Sequence, residues 1–345
     1  MIKVILHGLG GVGQYAGRMM AERPYIEIVG AVVHTDKAKI GKDVGEVLGL
    51  NKKLGVIVSN SLEDVIAKTS ADIVLDSTVS FVEDLKGPLF TCIKSGLNFV
   101  SACEELAYPW VSQAKLAHEI DELAKSHSVT VLGTGINPGF LQDLVPLTFA
   151  GACAKVTKIT ERRCNQCSDL GNHVLQQFDL GEKIEVFDKH AADGSLVAHT
   201  GHPEQIKMMA DAMGWEITDI KRELKAWISK SKRVGKYATI EPGQVSNVQT
   251  VTTGYKSNGK PAIVLDFTMT FAPTEESRKE DAEKGLQPGD ILTIDGEPNI
   301  DITIKGLTSA GLVTAARVAN AVPYVVQAKP GLLSQKDFPV FVPIE

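Results

Sequence analysis

The sequence predicts an α/β protein: an N-terminal Rossmann domain, built on a doubly wound parallel sheet, then a second α+β domain for substrate binding and dimerisation, with the C-terminal helix returning to the first. Three observations carry this reading. The chain opens on the β-branched run Ile2–His7, which leads straight into Gly8-Leu9-Gly10-Gly11-Val12-Gly13, a G-x-G-x-x-G turn with a strand before it and a helix after it. Short apolar runs and amphipathic stretches then alternate as far as about Phe140, the pattern of repeated βα winding. Beyond that point strand-like segments alternate more clearly and carry the hairpin signals Asn258-Gly259 and Asp295-Gly296, which imply antiparallel pairing. At 345 residues the chain exceeds the roughly 250–300 at which single cores stop growing. The expected domains are 1–137 with 309–345, and 138–308.

The elements follow in order. After the glycine turn, Tyr15, Met19 and Met20 sit at helical spacing, and Glu27–His34 reads as the second strand. Ser61-Leu-Glu-Asp64 resembles a capped helix start, and Asp72–Asp76 a buried strand. A helix from about Phe81 to Ser95 ends at Gly96, and Leu97–Val100 is a fourth strand. Leu116, Ile120 and Leu123 mark an amphipathic helix before the strand Val129–Leu132. The charged run Thr274–Lys284 reads as an exposed loop or short helix. Ser309–Val322 reads as a small-residue helix closed by Pro323.

Composition excludes several function classes. Lys and Arg total 36 against 42 Asp and Glu, a net charge of −6, which argues against a nucleic-acid or anionic-membrane partner. The basic cluster Lys221–Lys236 reads as a solvated face or an edge-strand guard. No apolar run approaches the roughly 20 residues of a membrane helix, and five cysteines without framework spacing fit free thiols in a cytoplasmic protein. Cys164-x-x-Cys167 and His199-x-x-His202 are separated by about twice the spacing of a zinc finger, so no metal is expected. G-x-S-x-G, H-E-x-x-H and P-loop patterns are absent.

The glycine turn is the first candidate site. Gly8 permits the tight turn, Gly10 lets the backbone approach a pyrophosphate, and Gly13 lets helix and strand pack closely. Leu9, Gly11 and Val12 complete the cradle at the helix N-terminus. After the second strand, Asp36 favours the ribose 2′-hydroxyl of NAD whereas His34 and Lys37 tolerate the phosphate of NADP, which leaves both cofactors open with a lean to dual use. Ser77 and Thr78, at the end of the third strand, are small hydroxyls suited to a cofactor ribose. At the end of the fourth strand two adjacent carboxylates, Glu104 and Glu105, appear before Pro109. The crevice beyond the strand ends is where such sheets bind ligands, and position alone does not separate a catalytic carboxylate from a turn charge. Cys103, beside them, reads as packing.

Ser101-Ala-Cys-Glu-Glu-Leu-Ala-Tyr-Pro109, Gly133-Thr-Gly-Ile-Asn-Pro-Gly-Phe140, Lys329-Pro-Gly-Leu-Leu333 and Ile40-Gly-Lys-Asp-Val-Gly-Glu46 together resemble the 2,4-diaminopentanoate dehydrogenase and amine dehydrogenase family, itself similar in architecture to dihydrodipicolinate reductases. The resemblance implies a homodimer and NAD(P)-linked oxidative deamination of an amine, releasing ammonia. It selects Glu104 as the catalytic group. It also implies cofactor contacts from Ser101, Ala102, Asn137 and the backbone of Gly139, and substrate contacts from Arg163, Asn165 and His202. The cofactor half matches motif by motif, while the substrate half departs from the family at Arg162–Gly171 and around Phe267–Phe271. A cyclic-imine reductase and a non-catalytic dinucleotide sensor are the alternatives.

Overall fold

The computed structural model describes residues 1–307 and 309–343, with the backbone alone for Asn172 and His173. The chain divides into two compact units, Met1–Leu144 with Ser309–Glu345, and Val145–Thr308.

The first unit begins β1 (Ile2–His7), α1 (Gly11–Ala21), β2 (Ile26–Val32), a short α2 (Val44–Val47), α3 (Leu62–Lys68), β3 (Ile73–Asp76), α4 (Val82–Lys94), β4 (Asn98–Ser101), α5 (Ala114–Ser126) and β5 (Thr130–Gly133). Then come α6 (Leu144–Ala150), β6 (Lys155–Gln166), α7 (Asn172–Gln177), α8 (Ile184–Asp193), α9 (His202–Met213), β7 (Asp219–Ile228), the ribbon strands β8 (Arg233–Val234) and β9 (Thr239–Ile240), β10 (Val245–Tyr255), β11 (Pro261–Thr270), α10 (Glu275–Glu283), β12 (Gly289–Glu297) and β13 (Ile300–Ile304). The chain closes with α11 (Ala310–Gln327) and β14 (Gly331–Leu333), which belong to the first unit.

The sheet of the first unit runs β14-β5-β4-β3-β1-β2, and its pairings are all parallel. A single parallel bridge from Val32 to Ser59 extends the edge beyond β2. This is the 3-2-1-4-5-6 winding of a dinucleotide fold, with the third strand reduced to one bridge and a further strand added by β14. The apolar runs alternate between two covers. Val4 and Leu6 join Ala16, Met20, Ala315 and Val322 on the α1 and α11 side, whereas Ile5 joins Leu85, Leu89, Leu116 and Ile120 on the α4 and α5 side. Strands buried on both faces push their polar residues to their ends, and there the site forms.

The second unit carries the sheet β13-β12-β6-β11-β10-β7. The Asn258-Gly259 signal does join the antiparallel pair β10 and β11. Three expectations need correction. Pairing is mixed, because β6 and β11 are parallel; the long connection between them, with its helices, supplies the crossover that a parallel neighbour requires. Asp295-Gly296 does precede an antiparallel pair, β12 with β13, but it sits at an irregularity within β12 and not in the turn itself. A Cβ at Gly296 would stand 2.4 Å from the Lys155 carbonyl oxygen, so this glycine serves a close strand approach. Finally, Pro323 does not close the last helix, which continues to Gln327. Proline lacks the N–H that would pair with the carbonyl four residues back, and Arg23 Nη1 donates to that Ala319 oxygen at 2.8 Å instead.

The charged run at 274–284 is a helix whose Thr274 and Ser277 form a capping box. It is more than a solvated face, since Asp281 is buried and bidentate to the buried Arg233 at 2.9 and 3.0 Å. The basic β7 lies at the sheet edge, where lysines discourage edge pairing. Among the described residues, no helix is long and apolar enough to cross a membrane.

Candidate active site

The glycine turn is built to leave space on one side only. Gly8 has φ +90°, a conformation that favours glycine, and a Cβ at Gly13 would stand 2.0 Å from the Gly8 carbonyl oxygen. At Gly10 and Gly11 a Cβ would meet nothing within 4 Å. The N-terminus of α1 has no side-chain cap and no acidic residue in its first turn. Its unpaired N–H groups and dipole therefore face open space, which fits a pyrophosphate. Leu9 contributes its carbonyl, which accepts from Gln14 Nε2 at 3.1 Å and from Lys39 Nζ at 2.9 Å.

The ends of β1, β3 and β4 converge on one buried carboxylate. Asp76 accepts from Thr78 Oγ1 at 2.7 Å and Ser101 Oγ at 2.5 Å, and its Oδ1 lies 2.8 Å from His7 Nδ1. Asp76, His7 and Ser101 are buried. His7 Nε2 in turn lies 2.8 Å from Nε2 of the exposed His34. Ser77 Oγ donates to the Gly8 carbonyl at 3.1 Å. The hydroxyls expected to hold a cofactor ribose thus spend their single O–H inside the protein. Ser77, Thr78 and Ser101 keep only acceptor capacity for a ligand, and their first duty is to shape the turn. The Ala102 N–H is likewise given to the Asp76 carbonyl at 3.0 Å.

Asp36 is also committed. Its carboxylate pairs with Lys39 at 2.8 Å and accepts from the Ala38 N–H, and chiefly the Lys39 bond holds it below the usual carboxylate range. His7, Asp76 and Lys39 were missed by sequence reading. The available signal was a His and an Asp as the last residues of two otherwise apolar strands.

Beyond β4 the two glutamates separate in role. Glu105 accepts from the Val82 N–H at 2.7 Å and so caps α4, which has no other side-chain cap. Glu104 is partly buried and bonds the Ser80 side chain; burial pushes its carboxyl up, and the Ser80 bond opposes that rise. This segment packs directly on the end of β5, where a Cβ at Gly133 would stand 2.4 Å from the Leu106 carbonyl carbon. Cys103 is buried, and its thiol is pushed up by desolvation, which suits packing rather than nucleophilic work.

The Gly133–Phe140 loop is braced from α11. Arg317 Nη2 donates to the Gly139 carbonyl at 3.1 Å and to Gln335 at 2.6 Å, and its guanidinium lies 4.8 Å from the Phe140 and Phe341 ring centres. Burial lowers Arg317 to about 10. The Gly139 N–H is taken by Asp143 at 2.6 Å, and the Asn137 side-chain amide is bonded to Gln142. Gly139 and Asn137 therefore meet a ligand only through the capacity these bonds leave. Asp43, in the 40–46 motif, serves the loop's own structure, since its carboxylate gathers the N–H groups of Leu54, Gly45 and Gly55, which hold it low.

In the second unit the expected substrate residues fare unequally. Arg163 is buried and committed, with Nη1 on Asp290 Oδ1 and Nη2 on the Leu307 carbonyl, both at 2.8 Å. In this structure it serves a buried ion pair, and only the guanidinium hydrogens beyond those two bonds are left for a ligand. Asn165 is buried, its amide 4.0 Å from Met269 Sδ. His202 opens α9 and lies with Nδ1 2.9 Å from Thr252 Oγ1; its Nε2 has no hydrogen-bond partner among the described residues. His199, missed as a site residue, has its ring 4.4 Å from that of His202 and 4.2 Å from that of Phe267. Burial lowers His202 to about 3 and His199 well below the ordinary imidazole value, so both are neutral. Among the described residues no cluster of His, Cys, Asp and Glu is placed to hold a metal ion.

A family model described as the 2,4-diaminopentanoate dehydrogenase C-terminal domain matches residues 140–345, and one for the dihydrodipicolinate reductase N-terminus matches residues 2–132. The chain belongs to the 2,4-diaminopentanoate dehydrogenase family. It is 32% identical to the 2,4-diaminopentanoate dehydrogenase of Acetoanaerobium sticklandii, over 98% of this chain and 94% of that one. It is 24% identical to an amine dehydrogenase of Streptomyces virginiae, over 99% and 97% of the two chains. An amine dehydrogenase structure from Mycobacterium smegmatis shares the fold, with a TM-score of 0.85 at 23% identity across 99% of this chain and 97% of that one. The family is one of NAD(P)-linked oxidoreductases acting on small molecules, and the glycine turn described above fits that cofactor.

Proposed function

We propose that this enzyme oxidatively deaminates an amine or diamino acid resembling 2,4-diaminopentanoate, and runs the reverse reductive amination with ammonia. The observation that carries the reading is Glu104: a partly buried carboxyl, pushed up by its surroundings, one turn beyond a strand whose end forms part of the cofactor edge of the sheet. A carboxyl raised above its ordinary value is a better proton acceptor and donor partner for this chemistry than an unperturbed one.

When bound, NAD(P)+ supplies the hydride acceptor. Glu104 takes the proton from the amine as the C–N bond becomes an imine, then orients the water that adds to the imine carbon. It returns a proton to nitrogen as ammonia leaves and the ketone forms. Ser80 holds the carboxyl in place. In the substrate unit the neutral His202 offers an uncharged Nε2 for a polar substrate group, and Asn165 an amide. Family likeness also supports a homodimer.

The test is NAD(P)H oxidation with ammonia and a panel of small ketones and amino ketones, for wild type and Glu104→Gln, with cofactor affinity measured by calorimetry. Turnover should fall by about 10²–10⁴ with cofactor affinity unchanged. Equal rates in both proteins would sink the catalytic assignment. Cofactor binding with no turnover of any substrate would favour a dinucleotide sensor.

A further inference from the structure

The helix α11 carries a single charged residue, Arg317, and that residue is buried. Burying a charge is costly, and hydrophobic side chains of similar volume serve stability at least as well as a buried polar cluster. The reason for an arginine lies in what surrounds it. Its guanidinium lies 4.8 Å from the ring centres of both Phe140 and Phe341, and its Nη2 donates to the Gly139 carbonyl and to Gln335. A planar cation that meets rings and donates through a fork is a property of arginine that lysine lacks.

The polar groups around it are not arranged for stability alone. Buried polar groups in folded proteins are nearly all hydrogen-bonded. Four here have no partner among the described residues: Arg317 Nε, Gln335 Nε2, Thr134 Oγ1 and Gln142 Nε2. They lie in the Gly133–Phe140 loop, just after it, and on the two segments that hold it. Positions where the rules of packing are broken in this way are where function is expected.

The loop connects Arg317 to the Glu104 segment. Gly139, at its far end, has φ +120° and folds back on the start, where its Cβ would stand 2.4 Å from the Gly135 nitrogen. Thr314, one turn before Arg317, accepts from the Ile136 N–H at 3.2 Å. At the near end the Thr134 N–H donates to the Ser101 carbonyl at 2.9 Å, and a Cβ at Gly133 would stand 2.5 Å from the Ala107 nitrogen. That Ala107 N–H in turn donates to the Glu104 carbonyl at 3.2 Å. A shift at Gly139 therefore passes, through backbone already in contact, to the segment that carries Glu104.

We propose that Arg317 is a positioning residue for the reaction: it fixes the Gly133–Phe140 loop, and with it the loop's nicotinamide edge and the Glu104 segment, without touching substrate. Its effect on turnover rests on the Glu104 reading. Its effect on the loop is independent of any amine.

The experiment compares the whole enzyme with Arg317→Ala and Arg317→Lys. It measures NAD(P)H oxidation with ammonia and a panel of small ketones, the dissociation constant of NADH, and the emission of bound NADH at saturation. A misplacement of about 1 Å can cost about 10²-fold in rate. In Arg317→Ala, kcat should fall by about that factor while KM for the ketone and the NADH dissociation constant stay within about threefold, the pattern of geometry lost in the transition state. The emission of bound NADH should move toward that of the free cofactor. Guanidinium chloride at low millimolar concentration should restore both kcat and emission in Arg317→Ala and leave wild type unchanged, whereas sodium chloride should restore neither. Arg317→Lys keeps the charge without the fork, so its kcat should fall by about tenfold. A purely structural role would lower the folded fraction but leave kcat per bound cofactor and the emission at wild-type values, and that result would overturn the proposal. So would a fall in kcat that guanidinium does not restore in folded Arg317→Ala. Where Arg317→Ala does not fold, Arg317→Lys decides, and wild-type kcat and emission in it would overturn the proposal. Absence of turnover in wild type, with the emission change and its rescue present in Arg317→Ala, would remove the amine reaction and leave the loop assignment standing.

Discussion

Each unit carries a histidine pair, and the two pairs are set in opposite electrostatic surroundings. His7 and His34 are hydrogen-bonded to each other and backed by a buried carboxylate that also takes Thr78 and Ser101. His199 and His202 stack against each other and Phe267, with Arg163 and Arg222 contributing positive charge and burial removing water. The first pair has a carboxylate built in behind its rings, whereas the second is kept neutral by burial with cations nearby. The difference lies in what stands behind the ring.

The comparison breaks most sharply at Arg163, whose charge helps keep the second pair neutral and whose own partner is the buried Asp290. Replacing it with Met leaves that carboxylate unpaired, and losing one member of a buried pair costs about 3–5 kcal/mol. Urea unfolding of Arg163→Met should show a loss of this size. If the variant keeps wild-type stability but loses substrate affinity, Arg163 is a substrate ligand after all.

The next effect is a pH slope. His202 has a folded value of about 3 against an ordinary 6.5, so on acidification the unfolded chain takes up a proton that the folded one refuses. Its contribution is intact above about pH 6.5 and is lost as pH falls from there toward 3, at about 1.4 kcal/mol per pH unit. Chemical denaturation at pH 7, 6 and 5 should find His202→Gln less acid-sensitive by that slope, with His199 retaining a slope of the same sign. An unchanged slope would mean that the imidazole is hydrated in solution.

How much of this could be read in advance depended on sequence distance. The glycine turn, the strand ends and the Glu104–Glu105 doublet are local, and they lie where residue order placed them. The partners were the unread part. His7 and Asp76 meet across 69 residues only because β1 and β3 are neighbours in the sheet. An arginine in a strand looks the same whether it awaits a substrate or, as here, an aspartate 127 residues on. Hydroxyls at strand ends were expected to hold ribose because the buried acceptors that claim them, Asp76 and the Gly8 carbonyl, were invisible until the strands were side by side. Asp295-Gly296 had the composition of a turn, and only the close approach of Lys155 showed why a glycine was needed inside a strand.

The smallest effect concerns Pro323, where local rules failed for the same reason. The helix survives its proline because Arg23, which reaches across 296 residues to the Ala319 carbonyl and also bonds Asn320, replaces the missing N–H. Arg23→Met should cost about 0.5–1.5 kcal/mol, the net worth of an ordinary intramolecular hydrogen bond, since Arg23 is only half-buried. Pro323→Ala restores an N–H that can take the Ala319 oxygen within the helix. The cost of Arg23→Met should therefore shrink in the Pro323→Ala background, and a double-mutant cycle by urea unfolding measures the difference. Strict additivity would show that Arg23 acts through Asn320 alone, and that the carbonyl released by Pro323 finds its partner in water.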